Sequence, residues 1–545
     1  MARDLETDMQ TLNTVLTFAQ NRDFERAAAL AEKTLASGFE HPMLLNVLAT
    51  RLEQQGRFED SLRLLERAVT IAPGDVGARN ALSMCLQRLD RHQEALYHLD
   101  TLLKRHPDLS FAHANKGNAL ISLGLLGRAQ QSHRRALELE PGNFVAMAAL
   151  GSIATHRGEH AEARRWAERT LAVSPGFPDA VLSLAAAEFA EGATTRAETL
   201  LQKLIMDPRA GPSDRARATG LLGDVLDASG RYNEAFSAYT TCNEALRRIH
   251  QRFASGTSML AYTRALSAAM GIVAPGAWPT QVAPPAAPAA PADPLEHVFL
   301  LGFPRSGTTL LEVILDGHPQ VASLEEHELL TDGVRRFMRE PLNLEALACA
   351  DHTQLNALRT AYWEGVRQAG TDVANKVFID KNPLNTLKLP LIARMFPRAK
   401  VLFALRDPRE VVLSCFRRRF TMNSAMYELL TLQGAAAFYV AVMQFAEQVR
   451  PFLGLSWRIV RYENLVTDFE QESRAICEFL NLQRVAGMED FASRIGKRER
   501  ATPSTAQLAR GLSPSAIDTW RRYSGALEPI LPMLNPWVER FGYPA

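Results

Sequence analysis

The first half of the chain repeats one pattern of apolar and polar residues with a period of 34. Within each period apolar residues recur at three- and four-residue steps, as between Arg57 and Ala68, and this spacing predicts amphipathic helices. Small residues, glycines and prolines largely keep the same step, at Ala27, Ser61, Ala95, Ala129, Ala163 and Ala197, at Gly56, Gly124, Gly158 and Gly192, and at Pro73, Pro107, Pro141 and Pro175. Small side chains let helices approach, glycine permits a turn and proline ends a helix. The pattern therefore predicts stacked helix pairs.

This period resembles the tetratricopeptide repeat, a pair of helices that stacks on its neighbours. The resemblance implies an N-terminal α-solenoid of about six or seven repeats within residues 9–250, the last of them longer before Gly230 and Ala235. An irregular helical bundle is the alternative, and the strict phase disfavours it. Such solenoids form concave surfaces that bind peptides, which implies a protein or peptide partner. Self-association into a homo-oligomer is the other use of the repeats that we consider.

A tract rich in alanine and proline, Pro275–Pro294, interrupts the chain and predicts an extended linker. We assign residues 251–294 to a helical tail and this linker, and residues 295–545 to a second domain. There, strand-like apolar runs alternate with helical stretches, and the predicted strands are residues 298–301, 320–324, 377–380, 400–406 and 457–462. This alternation predicts an α/β domain whose parallel sheet is covered by helices on both faces.

Composition narrows the class of protein further. An apolar content of 47% and a charged content of 22% are ordinary for a globular protein, and a net charge of +1 argues against nucleic acid as a partner. The five cysteines show no C-x-x-C spacing, so a reducing compartment is expected. Acidic residues occupy the start of the chain, and no apolar run reaches about 18 residues, the length that spans a membrane. We therefore expect a cytoplasmic protein without a membrane span.

The segment from Val298 to Leu315 carries the first sign of chemistry. A short apolar strand runs into the turn Gly302–Thr309, which nearly matches the phosphate-binding pattern G-x-x-x-x-G-K-[ST] and leads into a helix. Backbone amides at such a helix start converge on an anion. Thr308, however, stands where a nucleotide triphosphatase places its lysine, so the loop is poorly equipped for a magnesium triphosphate. Arg305 can supply the missing cation.

A second element suggests a second anion site. The predicted strand from Lys400 ends in Arg406, and a turn and a helix bearing Ser414 follow. A magnesium-dependent enzyme of this kind would place an acid at such a strand end to hold the metal. Arginine with a nearby hydroxyl suits a bidentate contact to phosphate instead. The sequence thus predicts a site that binds two anionic groups.

Together these residues resemble sulfotransferases that use 3′-phosphoadenylyl sulfate (PAPS), most of all protein-tyrosine sulfotransferases and bacterial tetratricopeptide-repeat sulfotransferases. The segment Pro304–Leu310 resembles their 5′-phosphosulfate loop, and Arg406–Arg409 with Ser414 resembles their 3′-phosphate site. The resemblance covers roughly residues 295–545. It implies PAPS as co-substrate, no metal, and donor contacts from Arg305, Ser306, Gly307, Thr308, Thr309, Arg406, Ser414, Arg418, Tyr462 and Arg510.

The same resemblance implies three catalytic residues. Glu326 falls in the place of the base that takes the acceptor proton, with Glu325, Glu328 and His327 as alternatives. Lys381 falls in the place of a lysine that stabilises charge on the bridging oxygen, the alternative being an ordinary surface lysine. Ser504 would face the sulfate from a late loop. The chain departs from the tyrosine enzymes at Ser323-Leu324, where they have Cys-Gly, and this leaves the acceptor open.

The leading hypothesis is therefore an enzyme that transfers the sulfuryl group of PAPS to a hydroxyl. The acceptors considered are a tyrosine of a protein or peptide, a glycan and a small metabolite, with the repeats recruiting acceptor or partner. Two alternatives from other classes are a P-loop kinase-like phosphotransferase or hydrolase, and a non-catalytic tetratricopeptide scaffold with a nucleotide-binding remnant. The missing Walker lysine counts against the first, and the joint presence of loop, second anion site and base counts against the second.

Overall fold

A computed structural model describes residues 5–21, 23–273, 276, 278, 294–491 and 517–544. The chain divides into two compact units, and the division falls between Glu191 and Gly192. Within the described ranges, no helix combines the length and the apolar character needed to cross a membrane. All five cysteines are free thiols, and four of them are buried.

The first unit consists of helices joined by short turns. Several begin at a side chain that accepts a hydrogen bond from the first turn, such as Asp23, Asp75 and Asn143. The helices are α1 Leu5–Gln20, α2 Phe24–Ala36, α3 Pro42–Gln54, α4 Phe58–Ile71, α5 Val76–Arg88, α6 His92–Arg105, α7 Ser110–Ser122, α8 Leu126–Leu139, α9 Phe144–Arg157, α10 His160–Val173 and α11 Pro178–Ala190.

The repeated residues occupy the places that the period predicts. The small residues of the second helices are fully buried, with an exposed fraction of 0% at Ala27, Ser61, Ala95, Ala129 and Ala163. The turn glycines are left-handed, with φ of 75° at Gly56 and 74° at both Gly124 and Gly158. The predicted solenoid is confirmed.

The second unit begins with further helices of the repeat type and continues into the sheet domain. Its helices are α12 Thr194–Met206, α13 Pro212–Ala228, α14 Tyr232–Ile249, α15 Met259–Ile272, α16 Thr308–Leu315, α17 Thr331–Gly333, α18 Leu344–Ala348, α19 His352–Gln368, α20 Leu389–Met395, α21 Pro408–Arg417, α22 Ser424–Glu428, α23 Leu432–Val449, α24 Tyr462–Thr467, α25 Phe469–Phe479, α26 Ser524–Leu527 and α27 Leu531–Arg540. The predicted domain limits at residues 250 and 294 stay predictions. The structure adds that α12–α15 belong to the same compact unit as the sheet.

The sheet has five strands in the order β2-β3-β1-β4-β5, and all described pairings are parallel. The strands are β1 Glu296–Gly302, β2 Val321–Glu325, β3 Val377–Lys381, β4 Lys400–Leu405 and β5 Ser456–Arg461, as the alternation of strand and helix predicts. Successive residues of β1 enter opposite cores: Phe299 and Leu301 join one cluster, Val298 and Leu300 the other. The sheet is therefore covered on both faces, and its carboxyl ends meet at one edge.

Helices α13 and α14 pack against the carboxyl end of α21. Gly220, Asp224 and Asp227 lie at helical positions i, i+4 and i+7 and form one face of α13, which we call the docking face. Arg419 donates to the carbonyl of Gly220 at 2.9 Å and pairs with Asp224, and Arg417 pairs with Asp227 at 2.6 Å. The docking face thus fixes two arginines of the segment that follows Ser414.

Glycine is needed at position 220 of the docking face because Arg419 passes against the helix. A Cβ atom there would lie 2.5 Å from Cδ of Arg419 and 3.0 Å from Sγ of Cys242. A buried amide completes the junction, since Nδ2 of Asn243 donates to the carbonyl of Phe416 at 2.8 Å. These contacts make the last helix pair a structural part of the sheet domain.

A fragment that starts at residue 192 should therefore unfold as one cooperative unit, whereas one that starts at residue 271 should be destabilised. The shorter fragment loses α13 and α14, and with them the half-buried acidic partners of Arg417 and Arg419. Urea unfolding followed by tryptophan fluorescence measures the difference. Equal midpoints for the two fragments would contradict the account of the docking face.

The substitution Gly220→Ala should destabilise the second unit by about 1–3 kcal/mol, because the added methyl group must displace Arg419 or Cys242. Gly525→Ala is the matched control, since that helical glycine has no neighbouring atom within 4 Å and alanine there should stabilise by up to about 1 kcal/mol. Five of the six tryptophans lie in the second unit, so fluorescence reports mainly on it. A stabilising effect at both positions would refute the close approach of Arg419.

Candidate active site at the carboxyl edge of the sheet

A cavity of about 280 Å³ lies at the carboxyl edge of the sheet, near the lower end of the range of roughly 300–1,000 Å³ for ligand pockets. The described residues that line it are Pro304, Arg305, Gly307, Thr308, Thr309, Leu310, Glu326, Glu328, Asn382, Pro383, Leu384, Arg406, Phe420, Asn423, Met426 and Tyr462. All five strands contribute to this edge, because lining residues follow the end of each of them.

The turn between β1 and α16 depends on two glycines. Gly302 has a φ of 152°, and a Cβ atom there would lie 2.7 Å from the carbonyl oxygen of Ala404 on β4. Gly307 has a φ of 101°, and its Cβ atom would lie 2.9 Å from the ring of Tyr462. The hydroxyl of Thr386 lies 2.8 Å from the carbonyl oxygen of Gly302 and accepts its N–H at 3.2 Å. The turn is therefore held against β4 on one side and against the hydroxyl of Thr386 on the other.

Helix α16 begins at Thr308, with Gly307 as the N-terminal cap, and its first residues line the cavity. The amide groups and the helix dipole at such a terminus favour an anion. Arg305, within the turn, donates from Nε to Oγ of Ser414 at 3.0 Å. Burial, helped by Arg418 and Arg406, lowers the pKa of Arg305 to about 9. An anion in the cavity would offset this unfavourable concentration of positive charge.

Arg406 contributes the second cation of the cavity wall. Its guanidinium lies 4.4 Å from the centroid of the Tyr462 ring, a cation–π contact, and Nη2 lies 3.4 Å from Oε2 of Glu410. Glu410 is held by Oγ1 of Thr519 at 2.6 Å and by the N–H of Trp520 at 2.8 Å, and burial raises the pKa of its carboxyl group. Arg406 is thereby fixed in orientation at the end of β4.

The other arginine of the Arg406–Arg409 segment has a different environment. Arg409 is 2% exposed and forms a bidentate pair with Asp407, at 3.0 Å and 2.7 Å. Its guanidinium also lies 4.0 Å from the ring centroid of Trp520 and donates to the carbonyl of Pro544. Arg409 does not line the cavity among the described residues, so its contacts are those of a buried structural group.

Several other predicted donor contacts lie behind the cavity wall. Ser414 accepts a hydrogen bond from Arg305 and is not among the described lining residues. Ser306 and half-buried Arg418 are not among them either. Burial is the main cause that lowers the pKa of Arg418, and the charges of Arg417 and Arg419 act in the same direction. Two further predicted residues, Ser504 and Arg510, lie outside the described part of the chain.

Lys381, at the end of β3, lies beneath the cavity and not on its described lining. Its side chain is fully buried, and Nζ lies 2.8 Å from Glu326, 2.9 Å from Glu325 and 3.6 Å from Glu312. Burial alone would lower the pKa of Lys381, but these three carboxylates outweigh it and raise the pKa. The ammonium therefore stays charged and fixes the orientation of the acidic side chains around it.

Among the candidates for the base, Glu326 and Glu328 line the cavity. The backbone of Glu326 is left-handed, with a φ of 49°, and its N–H donates to the carbonyl of Lys381 at 2.7 Å. This turn directs the side chain outward, where it is 47% exposed, whereas that of Glu325 is 10% exposed. His327 contacts the carbonyl of Glu325 through Nδ1 at 3.0 Å. The geometry thus favours Glu326 or Glu328 over their neighbours.

Sequence reasoning missed five further residues of the cavity wall. Asn382 and Leu384 follow β3, and Phe420, Asn423 and Met426 come from the segment after α21. A proline close after a buried strand, Pro383, gave a weak indication that Asn382 and Leu384 lie at the sheet edge. The other three residues show no periodicity or motif, and their place depends on how the segment after α21 folds back over the sheet edge.

Comparison with known proteins finds matches to both the repeats and the sheet domain. Residues 297–486 match the model of the sulfotransferase family, and residues 12–76, 52–115 and 114–176 match tetratricopeptide-repeat models. Protein-tyrosine sulfotransferase 1 of Danio rerio is 26% identical over 264 residues, which cover 45% of this chain and 72% of that protein. The sulfotransferase domain of the Synechococcus PCC 7002 olefin synthase is 23% identical with a TM-score of 0.31, over 42% of this chain and 88% of that one.

An uncharacterized protein of Aquifex aeolicus (strain VF5) matches more of the chain. It is 26% identical over 431 residues, which cover 75% of this chain and 53% of that protein, so the match spans about half the length of this relative. The matched ranges separate along the sequence, repeats before the sheet domain. The chain therefore combines tetratricopeptide repeats with a domain of the sulfotransferase family.

Proposed function

We propose that the chain transfers the sulfuryl group of PAPS to the hydroxyl of an acceptor. The observation that carries this proposal is the pair of cavity cations, Arg305 and Arg406, which line the same cavity as a helix start that has Thr308 in place of a lysine. Two separate cations suit a donor with two separate anionic groups, a 5′-phosphosulfate and a 3′-phosphate. A magnesium triphosphate would need the lysine and a strand-end acid instead, and the described strand end of β4 leads into Arg406.

Each of the two anionic groups of the donor would contact one of these cations. The amides of Gly307, Thr308 and Thr309 with Arg305 would hold the phosphosulfate, because the helix terminus and the guanidinium both favour negative charge. Arg406 would contact the 3′-phosphate. Ser306, Ser414 and Arg418 would act mainly by shaping the loop and placing Arg305, since they lie behind the described wall.

The acceptor oxygen would attack sulfur while the bond from sulfur to the bridging oxygen breaks, and adenosine 3′,5′-bisphosphate would leave. Glu326 would take the proton of the acceptor hydroxyl, as its exposed carboxylate lines the cavity. Lys381 was predicted to contact the bridging oxygen. Its buried contacts support another role, in which it orients the carboxylate of Glu326.

The repeats of the first unit would recruit the acceptor or a partner protein. Their helices repeat the tetratricopeptide pattern, and arrays of this kind form extended binding surfaces. The names of the matched relatives refer to protein tyrosine, so a tyrosyl hydroxyl of a protein or peptide is one acceptor class that fits. A small phenol or a sugar hydroxyl would need no help from the repeats.

Adenosine 3′,5′-bisphosphate should bind at least about tenfold more tightly than AMP, since Arg406 adds a charge-assisted contact worth more than about 1.4 kcal/mol. Arg406→Ala should remove most of this preference, and it should lower the affinity for AMP less than the affinity for adenosine 3′,5′-bisphosphate. Arg474→Ala is the control, because that arginine is exposed and pairs with Glu470 on α25. Calorimetric titration of both nucleotides into the three proteins measures all six affinities. Equal affinities for the two nucleotides in the parent protein would exclude the donor site as proposed.

Glu326→Gln should lower kcat by about 10²–10⁴, because it removes the base and keeps the size of the side chain. Nucleotide affinity should change little. Glu328→Gln is the matched comparison, since Glu328 is the other acidic candidate on the cavity wall. Steady-state rates with PAPS and a phenol acceptor distinguish the two. A larger loss at Glu328 than at Glu326 would transfer the role of base to Glu328.

A further inference from the structure

The 3₁₀ turn Thr519–Tyr523 lies beside α21 and contacts that helix at two places. At the first place, two consecutive residues of the turn donate to the carboxylate of Glu410. Oγ1 of Thr519 lies 2.6 Å from Oε2, and the backbone nitrogen of Trp520 lies 2.8 Å from Oε1. Burial raises the pKa of Glu410, and both hydrogen bonds act against burial. The turn therefore stabilises the charged form of this buried carboxylate.

One oxygen of Glu410 is shared with Arg406 of the cavity wall. Nη2 of Arg406 lies 3.4 Å from Oε2, the same oxygen that accepts the hydroxyl of Thr519 at 2.6 Å. A usual N–H···O hydrogen bond measures roughly 2.7–3.2 Å, so the contact of the guanidinium is long. That guanidinium also lies 4.4 Å from the ring centroid of Tyr462 and lines the cavity. The hydroxyl is thus the closer donor to the shared oxygen.

The hydroxyl of Thr519 limits how strongly Glu410 attracts Arg406. Without that hydroxyl, the guanidinium of Arg406 would be the remaining described donor to Oε2. A buried carboxylate oxygen that lacks a hydrogen bond is costly, and a hydrogen bond between arginine and carboxylate shortens to about 2.7–2.9 Å when it forms fully. The guanidinium would then move towards Glu410 and away from the cavity.

The other end of the turn is anchored on the docking face of α13. The hydroxyl of Tyr523 donates to Asp227, which also pairs with Arg417 at 2.6 Å. The ring centroid of Tyr523 lies 5.2 Å from the guanidinium of Arg417 and 5.6 Å from the ring centroid of Tyr232 on α14. All of these residues belong to the second unit. The turn therefore connects Glu410, near the start of α21, to the last helix pair.

Building on the sulfuryl-transfer function above, we propose that the Thr519–Tyr523 turn sets the selectivity of the donor site for a 3′-phosphate. Thr519 is a positioning residue, because it occupies the shared oxygen of Glu410 and so keeps Arg406 at the cavity wall. Tyr523 holds the turn on the docking face. The selectivity for the nucleotide then depends on α13, a helix that precedes the sheet domain in the sequence.

Substitutions of Thr519 in the full chain test this role. Thr519→Val keeps the shape of the side chain and removes the hydroxyl. It should lower the ratio of the affinities for adenosine 3′,5′-bisphosphate and AMP by at least about threefold, with little change for AMP. Thr519→Ser keeps the hydroxyl and should retain the ratio of the parent protein. Calorimetric titration of both nucleotides measures the ratio, and the melting temperature reports on stability.

Thr240→Val is the matched control, because that half-buried hydroxyl donates to the carbonyl of Phe236 within α14. Its ratio should equal that of the parent protein. A purely structural effect would weaken both nucleotides together and leave the ratio unchanged. The proposal is overturned by an unchanged ratio in Thr519→Val, or by an equal loss in Thr519→Ser.

Tyr523→Phe tests the connection to the docking face, since it removes the hydroxyl that binds Asp227 and keeps the ring. It should lower the same ratio by at least about twofold. Combined with Thr519→Val, it should lower the ratio by less than the product of the two single effects, because both act through the position of one turn. A Tyr523→Phe protein with the ratio of the parent would refute the dependence on α13.

The parent protein separates a failure of this proposal from a failure of the function on which it rests. If the parent binds adenosine 3′,5′-bisphosphate no more tightly than AMP, the donor site is wrong and the role of the turn fails with it. If the parent has its preference of at least about tenfold and Thr519→Val keeps it, the donor site stands and the role of the turn is refuted.

Discussion

The turn between β1 and α16 is the constraint on which the site depends. Gly302 and Gly307 hold backbone angles that side chains rarely adopt, and each lies against a neighbouring strand or ring that leaves no room for a Cβ atom. This geometry aims the start of α16 at the cavity and places Arg305 against Ser414 on α21. Any anion that binds at the sheet edge is bound by a loop that the fold has already shaped.

The site also requires buried charges to be compensated, and the two sides of the cavity do this differently. On the acidic side, the ammonium of Lys381 neutralises part of a three-carboxylate cluster. On the basic side, the segment after Ser414 has its arginines anchored on Asp224 and Asp227 of α13. An isolated buried ion is costly in free energy. Each cluster therefore needs partners of opposite charge, and these partners come from different elements of the fold. The last helix pair of the repeat type is thereby part of the structure that supports the donor side.

Local patterns in the sequence predicted much of this arrangement. The 34-residue period predicted the buried alanines and left-handed glycines, and apolar runs predicted all five strands. The loop motif and the strand-end Arg406 predicted that the two cavity cations lie close together, because both follow strands that end at the same edge of a parallel sheet. The buried position of Lys381 could not be predicted, since it depends on Glu312 from α16 meeting β3 in space. The need for glycine at position 220 could not be predicted either, because it is set by Arg419, which is distant in the sequence.

A crystal structure of the full chain with adenosine 3′,5′-bisphosphate is the most direct measurement of the central claim. The account predicts the 5′-phosphate at the amides of Gly307–Thr309 beside Arg305, and the 3′-phosphate within hydrogen-bond distance of Arg406. It further predicts that the side of the cavity lined by Glu326 stays open for an acceptor. A nucleotide bound in the reverse direction, or bound away from the carboxyl edge of the sheet, would contradict the account.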